Sequence, residues 1–489
     1  MDAARLLAFD LGAESGRAVL GDLAGGRLAL REIARFPNGL LELRGRLHWN
    51  VFRLFEEMKA ALAACAAEGI APASLGVDTW GVDFALLAAD GTVLGLPVAY
   101  RDRRTEGAME SLFRKIPRER VYARTGIQLL PINTLFQLEA MARDRSPLRE
   151  VATDLLFIPD LFHYLLTGVK RTEFTFATTS QLFDPVRMDW DDELLRAVGA
   201  PRAWMQEVVP PGTILGELDG AVRRRTGYAG GPLVAVATHD TGSAVAAVPA
   251  QGEDWAFISS GTWSLVGVES PRPVLTLDAM RANVTSEGGV GGTFRVLKNV
   301  TGLWLLQECR RAWSRERPAG YDELIAAAGA APPFAALVDP DDPSFLAPPD
   351  MPEAIRAFCV RTGQAPPGTR GATVRCILES LALKCRLVLE QIARLLDRRI
   401  ARVHVIGGGA RNGLLCRFTA DATGLPVRAG PGEATAVGNL LVQAMALGRI
   451  ASLAELREVV RASFAVTRYD PDDPAAWEPA RERFRKMAG

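Results

Sequence analysis

Apolar and polar positions change period several times along this chain, and most of the changes fall at glycines. Over residues 1 to about 35, apolar runs alternate with turns at Gly12, Gly16, Gly21 and Gly25-Gly26, which predicts a meander of strands. From 50 to 68 the period becomes helical, with Val51, Leu54, Phe55, Met58, Leu62 and Cys65 on one face and Gly69 as the stop. Residues 75–87 read as two short strands about Gly81, with acidic and aromatic side chains at the bend. A buried strand at 230–238 runs into His239-Asp240-Thr241-Gly242 and an Ala/Val-rich helix. A long helical pattern over 374–396 feeds Val403-His404-Val405-Ile406, a Gly407-Gly408-Gly409 turn and a helix start at Asn412. Strands and helices therefore mix as in an α/β fold. We place the domain boundary near residue 245, dividing 1–244 from 245–489.

Two of the glycine turns carry candidate chemistry. Asp10-Leu11-Gly12-Ala13-Glu14-Ser15-Gly16-Arg17 and Ser259-Ser260-Gly261-Thr262-Trp263-Ser264 each join an apolar run to a returning strand. Gly lets backbone N–H groups approach an oxyanion and Ser or Thr hydroxyls add donors, so both are phosphate-cradle candidates. Only the first has an acid: Asp10 can hold a metal or a metal-bound water, and Arg17 can neutralise charge. An ordinary glycine hairpin is the competing reading of each turn. The paired loops point to a duplicated domain clamping one nucleotide. The chain has neither GxxxxGK[ST] nor a GxGxxG after the first strand, so a standard P-loop or Rossmann site is excluded. Asp240 stands where ligands gather in α/β sheets, at the end of a strand, and can accept a proton from a substrate hydroxyl; helix capping is its alternative role. The Gly407-Gly408-Gly409 turn would let backbone approach a nucleotide, a plain flexible turn being its alternative, with Asn412 as the next helix cap.

Composition narrows the class. With 489 residues, 48% apolar and 23% charged, the chain has room for two or three domains and a water-excluding cleft. A formal net charge of +0 argues against bulk attraction to nucleic acid or anionic membrane; of three local basic clusters, beginning at Arg101, Arg223 and Arg481, the last two read as solvated faces or helix ends and receive no role. No leader or membrane-length apolar run is read, so the cytoplasm is expected. The six cysteines form no CxxC pair and are expected as thiols, with a Cys359–Cys376 bridge left open. His48, His163 and His404 are read as core or surface residues rather than metal ligands.

Together these segments resemble the sugar kinases of the FGGY family, within the actin-like ATPase superfamily, and most closely the branch acting on L-rhamnulose. The resemblance covers nearly the whole chain. Besides the two turns it rests on Asp78-Thr79-Trp80-Gly81-Val82-Asp83-Phe84, Ala99-Tyr100-Arg101-Asp102, Gly126-Ile127-Gln128-Leu129-Leu130-Pro131-Ile132-Asn133-Thr134, His239-Asp240-Thr241 and Leu297-Lys298-Asn299-Val300-Thr301-Gly302-Leu303-Trp304-Leu305-Leu306-Gln307. It implies two actin-like ATPase (ribonuclease H-like) domains flanking a central nucleotide and sugar cleft. Ala13, Glu14, Ser15, Gly16, Arg17, Thr262, Gln307 and Gly408 match ATP-binding positions of the family. Gly81, His239, Asp240, Thr241 and Asn299 match sugar-binding positions, Asp240 matches the catalytic base, and Asp10 is inferred to hold Mg²⁺ through water. Glu14 departs from relatives that carry a small hydroxyl residue there. The implied reaction moves the ATP γ-phosphoryl group to the C1 hydroxyl of L-rhamnulose, with L-fuculose or L-xylulose as alternative acceptors and a sugar-independent actin-like ATPase as the alternative class. The partners implied are a ketose and ATP, with no nucleic acid and no membrane; the oligomeric state stays open, a monomer included.

Overall fold

The computed structural model describes residues 3–315, 318–346 and 348–488. The chain forms two compact units. The first comprises Met1–Pro249, Glu269–Val296 and Ala434–Ser463; the second comprises Ala250–Val268, Leu297–Glu433 and Phe464–Gly489. The first segment of the first unit ends at Pro249. The two later segments of the first unit carry no mark in the linear pattern.

In the first unit the predicted meander is β1 (Ala4–Leu11), β2 (Ser15–Ala24) and β3 (Arg27–Pro37). It forms one side of a six-stranded sheet that continues through Ser74–Thr79, Leu233–Ala235 and Thr213–Gly216. β1, Ser74–Thr79 and Leu233–Ala235 run parallel, so their carboxyl ends share one edge. Such strands must be covered on both faces, and Ser74–Thr79 is buried at every position. One cover is α1 (Val51–Ala67), whose start is fixed by the Asn50 side chain accepting from the Arg53 N–H. Its Val51, Leu54, Met58, Leu62 and Cys65 join Leu7, Phe9, Leu75 and Val77 in one core. Phe55, expected on the same face, is only half-buried at its margin.

A second helix, Ala434–Ala446, belongs to the same unit. It lies so close to the helix Asp240–Ala246 that a Cβ on Gly438 would stand 1.8 Å from the Ser243 carbonyl oxygen. Backbone on backbone is possible there only without a side chain.

The second unit repeats the motif of the first. Trp255–Ser260 and Trp263–Ser270 form an antiparallel hairpin, and Trp255–Ser260 pairs in parallel with Arg402–Ile406 as β1 pairs with Ser74–Thr79. Arg402–Ile406 continues in parallel to Val427–Ala429, which pairs antiparallel with Thr467–Tyr469. The predicted long helix is Arg370–Leu395, capped by Thr369 accepting from the Ala372 N–H. Its Val374, Ile377, Leu378 and Leu381 enter a core with Leu305, Phe358, Phe418 and Trp477. All six cysteines are buried free thiols. Among the described residues no helix is long and apolar enough to cross a membrane.

Replacing Gly438 by Ala should cost at least ~2 kcal/mol, because a rigid carbonyl cannot yield as a side chain would. Gly329→Ala is the control, since a Cβ at this helical position meets nothing within 4 Å. Urea unfolding of both variants reads the difference; equal stabilities would refute the close helix contact.

Candidate functional site

In the first unit three acids gather at the carboxyl edge of the parallel strands. Asp10 near the end of β1 lies opposite Arg17 in the antiparallel ladder and opposite Asp78 in the parallel one. Partners in register share a face, so Arg17 forms an ion pair with Asp10. Burial first, and then the charges of Asp10 and Asp240, push the fully buried Asp78 carboxyl well above the usual carboxylate range. Asn439 opposes this by donating Nδ2–H to Asp78 Oδ2 at 2.6 Å. Its own Oδ1 accepts from Gln443 Nε2 at 2.7 Å, and Gln443 Oε1 accepts from Ser74 Oγ at 2.8 Å. Gly76 makes room, for a Cβ there would lie 2.6 Å from Asn439 Oδ1. Sequence reasoning missed Asn439 and Gln443. The available signal was an amide pair spaced i, i+4 inside an otherwise apolar helix.

The β1–β2 turn holds the residues expected to meet phosphate. Gly12 N–H donates to the Ser15 carbonyl at 3.0 Å, and Asn38, another residue the sequence did not single out, donates Nδ2–H to the Gly12 carbonyl at 2.8 Å. Glu14 is exposed, while Ala13, Ser15 and Arg17 are half-buried. Gly16 is required by packing: its Cβ would come 2.2 Å from the Phe36 ring. Gly12 is the more open glycine, its nearest obstacle being the Ser15 carbonyl at 3.4 Å.

His239, Asp240 and Thr241 follow the strand Leu233–Ala235, and Thr79 bridges to His239 in parallel, which brings Gly81 beside the imidazole. A Cβ on Gly81 would stand 3.1 Å from His239 Nε2. Val82 next to it adopts a left-handed backbone at φ 68°, a costly conformation for a β-branched residue. The helix cap position falls on His239, so Asp240 is the first helical residue rather than the cap. Its Oδ1 accepts from Thr241 N–H at 2.5 Å and Thr241 Oγ1 at 3.1 Å, and the side chain is 33% exposed. That combination leaves an oriented carboxylate within reach of a ligand.

Glu173, fully buried and unforeseen, braces this segment. Its Oε2 accepts from Thr238 N–H at 2.9 Å, Thr238 Oγ1 at 2.8 Å and Thr175 Oγ1 at 2.5 Å, and Thr175 Oγ1 in turn accepts from His239 N–H at 3.2 Å. Burial raises the Glu173 carboxyl above its ordinary value even against these donors. Asp83, three positions after Trp80, is a similar hub. It accepts from Trp49 Nε1 at 2.6 Å, Trp80 Nε1 at 3.0 Å, Gln137 Nε2 at 2.9 Å and Tyr100 N–H at 3.2 Å. Burial nevertheless lifts it to about 6.

In the second unit the hairpin turn at Gly261 rests on Gly302, whose Cβ would lie 2.6 Å from Ser264 Oγ and 2.8 Å from the Gly261 carbonyl. The Thr262 carbonyl accepts from the Gly302 and Trp304 N–H groups at 3.1 and 3.2 Å. Of the three glycines at 407–409, Gly407 has a left-handed φ of 77° and Gly409 lies against Ser260, with 2.0 Å from a would-be Cβ to Ser260 Oγ. Gly408 alone has open space, nothing standing within 4 Å of its missing Cβ. Gln307 Oε1 and Ser260 Oγ are buried without a hydrogen-bond partner, an unstable condition that a ligand donor would relieve. Asn299 lies half-buried on the strand Phe294–Thr301. Asn412 caps the helix Gly413–Thr423 by accepting from the Leu415 N–H at 3.0 Å, as its position predicts.

Two α/β units with a repeated hairpin-and-parallel-strand motif, one bearing an acidic strand edge and the other an open glycine turn, define a phosphoryl-handling class of protein. Residues 5–247 match the N-terminal domain of the FGGY family of carbohydrate kinases, and residues 256–447 match its C-terminal domain. The chain belongs to that family. Rhamnulokinase of Bacteroides thetaiotaomicron is 48% identical over 478 residues, covering 98% of each chain. Rhamnulokinase of Pectobacterium carotovorum is 43% identical over 486 residues, covering 99% of this chain and 96% of the relative. Among solved structures, gluconate kinase of Lactobacillus acidophilus superposes with a TM-score of 0.80 at 14% identity over 99% of this chain and 98% of the other. Xylulose kinase of Rhodospirillum rubrum gives 0.78 at 20% over 99% and 97%. These likenesses establish the two-domain kinase fold and agree with the expected fold class.

Because Asp83 is raised in the folded chain, the native state binds the extra proton between pH 4 and 6, so this group's contribution to stability falls as pH rises through that window. Asp83→Asn removes the titration. The variant should lose stability with rising pH less steeply than the parent, by ~2 kcal/mol across the window. Urea unfolding from pH 4 to 7 checks this, and parallel pH profiles would contradict it.

Proposed function

We propose that this chain is an ATP-dependent kinase that transfers the γ-phosphoryl group to the C1 hydroxyl of L-rhamnulose, with Asp240 as the base. The family and the whole-length likeness to two rhamnulokinases support the substrate, and the orientation of Asp240 supports the chemistry. The observation carrying it is a one-third exposed carboxylate whose hydrogen bonds fall on Oδ1, in a segment braced from beneath by Glu173. In this reading Oδ2 takes the proton from the attacking hydroxyl, while Gly81 leaves the sugar room beside His239 and Thr241. Asn299 supplies a further polar contact to the ketose.

Each unit carries a glycine turn suited to part of a nucleotide. In the first unit the backbone N–H groups of turn residues 13 and 14 and the Ser15 hydroxyl meet phosphate oxygens, whose charge Arg17 offsets; in the second the Thr262 hydroxyl does likewise, Gly408 admits the adenosine, and the unpartnered Gln307 Oε1 accepts from it. The acidic edge fits a hydrated Mg²⁺. Asp78 Oδ1 is buried without a hydrogen-bond partner, in register with Asp10 on the neighbouring strand. Among the described residues no three His, Cys, Asp or Glu side chains form a direct metal cage, in keeping with an ion that Asp10 would hold through water. When bound, that ion neutralises charge on the phosphates. The protein's own work is alignment, exclusion of water and acceptance of the hydroxyl proton.

Asp240→Ala should lower turnover by ~10² to 10⁴ while leaving the KM for ATP nearly unchanged. Undiminished turnover would remove Asp240 as the base. The substrate is tested by ADP release with Mg²⁺ and ATP across L-rhamnulose, L-fuculose, L-xylulose, D-xylulose and glycerol. The highest kcat/KM is expected for L-rhamnulose; a higher value for another acceptor would overturn that substrate and keep the kinase. Release independent of any sugar would overturn both.

A further inference from the structure

We infer that Arg295 is a positioning residue that fixes which nitrogen of His239 carries the hydrogen, so that Nε2 presents an N–H to a sugar oxygen beside Asp240. Arg295 is wholly buried on the strand Phe294–Thr301, an unusual position for a guanidinium unless every donor is used. Its Nε–H donates to the Gly288 carbonyl at 2.8 Å, and both terminal nitrogens stand 3.2 Å from His239 Nδ1. Guanidinium has five N–H donors and no acceptor, and it stays protonated. A hydrogen on Nδ1 would therefore point at other hydrogens.

The competing acceptor is Glu287. Its Oε2 lies 3.4 Å from Nδ1 and 3.2 Å from Arg295 Nη1. Although burial opposes its charge, Arg295 holds Glu287 below the usual carboxylate range, so the pair is ionic. Two donors at 3.2 Å outweigh one acceptor at 3.4 Å, and Glu287 Oε2 already has the Arg295 charge 3.2 Å away to offset its own. Nδ1 thus presents its lone pair to Arg295, and the hydrogen sits on Nε2. That nitrogen lies 3.4 Å from Asp240 Oδ1 and faces the space left by Gly81. The groups facing the ring are Arg295, Glu287, Asp240 and, edge-on, Phe176. In the opposite tautomer Nε2 would set a lone pair against the Asp240 carboxylate and would offer a sugar oxygen nothing. Arg295 therefore selects a ligand with an acceptor oxygen beside the reacting hydroxyl; this half rests on the kinase reading above, whereas the tautomer does not.

The first test is the imidazole ¹⁵N spectrum of labelled, sugar-free protein, with the His239 signals assigned by their loss in His239→Gln. A neutral ring protonated on Nε2 is expected. A hydrogen on Nδ1, or on both nitrogens, overturns the inference without touching the kinase assignment. In Arg295→Met the hydrogen should move to Nδ1 toward Glu287, and the sugar KM should rise about 10- to 100-fold with the ATP KM unchanged. Arg295→Lys, which keeps one donor and is the safer variant for folding, should retain the Nε2–H form and most of the sugar affinity. An unchanged tautomer and sugar KM in Arg295→Met, or loss of the Nε2–H form in Arg295→Lys, would refute the role. Retained turnover in Asp240→Ala would instead sink the base and leave the tautomer standing.

Discussion

Crowding of carboxylates at one strand edge governs the first unit. Parallel pairing in register puts Asp10 and Asp78 side by side on the same face, and Asp240 follows the next parallel strand of the same sheet. Like charges so placed cannot all ionise in a buried setting. The structure answers with Arg17 on Asp10, with an amide chain from Asn439 through Gln443 to Ser74 beneath Asp78, and with an Asp78 carboxyl pushed up by its burial. Glu173, also buried, takes up the donors of Thr238 and Thr175 and so sets the angle at which Asp240 leaves the sheet. Stability and chemistry meet here: the devices that make the acids tolerable also aim one of them.

The second unit solves a different problem, that of exposing backbone. Its three-glycine turn divides the labour. Gly407 supplies the left-handed bend, Gly409 lets the turn sit on Ser260, and Gly408 remains open. Gly302 supports the hairpin turn from behind, so Thr262 is held by backbone hydrogen bonds on both sides of its carbonyl. Glycine there serves packing as much as ligand approach, and the same is true of Gly16 against Phe36 in the first unit.

Much of this was legible beforehand. The meander, α1, the strands about Gly81 and the long helix Arg370–Leu395 all follow from the period of apolar positions, because a strand or helix covered by a core must repeat at 2 or 3.6 residues. Asp10, Asp240 and Gly408 were singled out because acids and glycines at strand ends can meet ligands as well as serve turns and caps, and Gly81 because of the family resemblance. The supporting residues were invisible for the converse reason. Asn38, Glu173, Asn439 and Gln443 sit in segments whose period is ordinary, and each has a partner at least 26 residues away, as Asn38 does in Gly12 or Glu173 in Thr238.

The sequence by itself determined the elements, the two glycine turns, the acids at strand ends and the family they resemble, since all of these are written in spacing and residue type. Tertiary structure alone decided that residues 434–463 belong with the first unit, that Gly16 yields to a ring, that Asp240 is not a helix cap and that Arg295 reaches His239. Local sequence fixes dihedral preference and burial period. Hydrogen-bond partners and charge neighbours depend on which strands lie side by side, and only the assembled sheet specifies that.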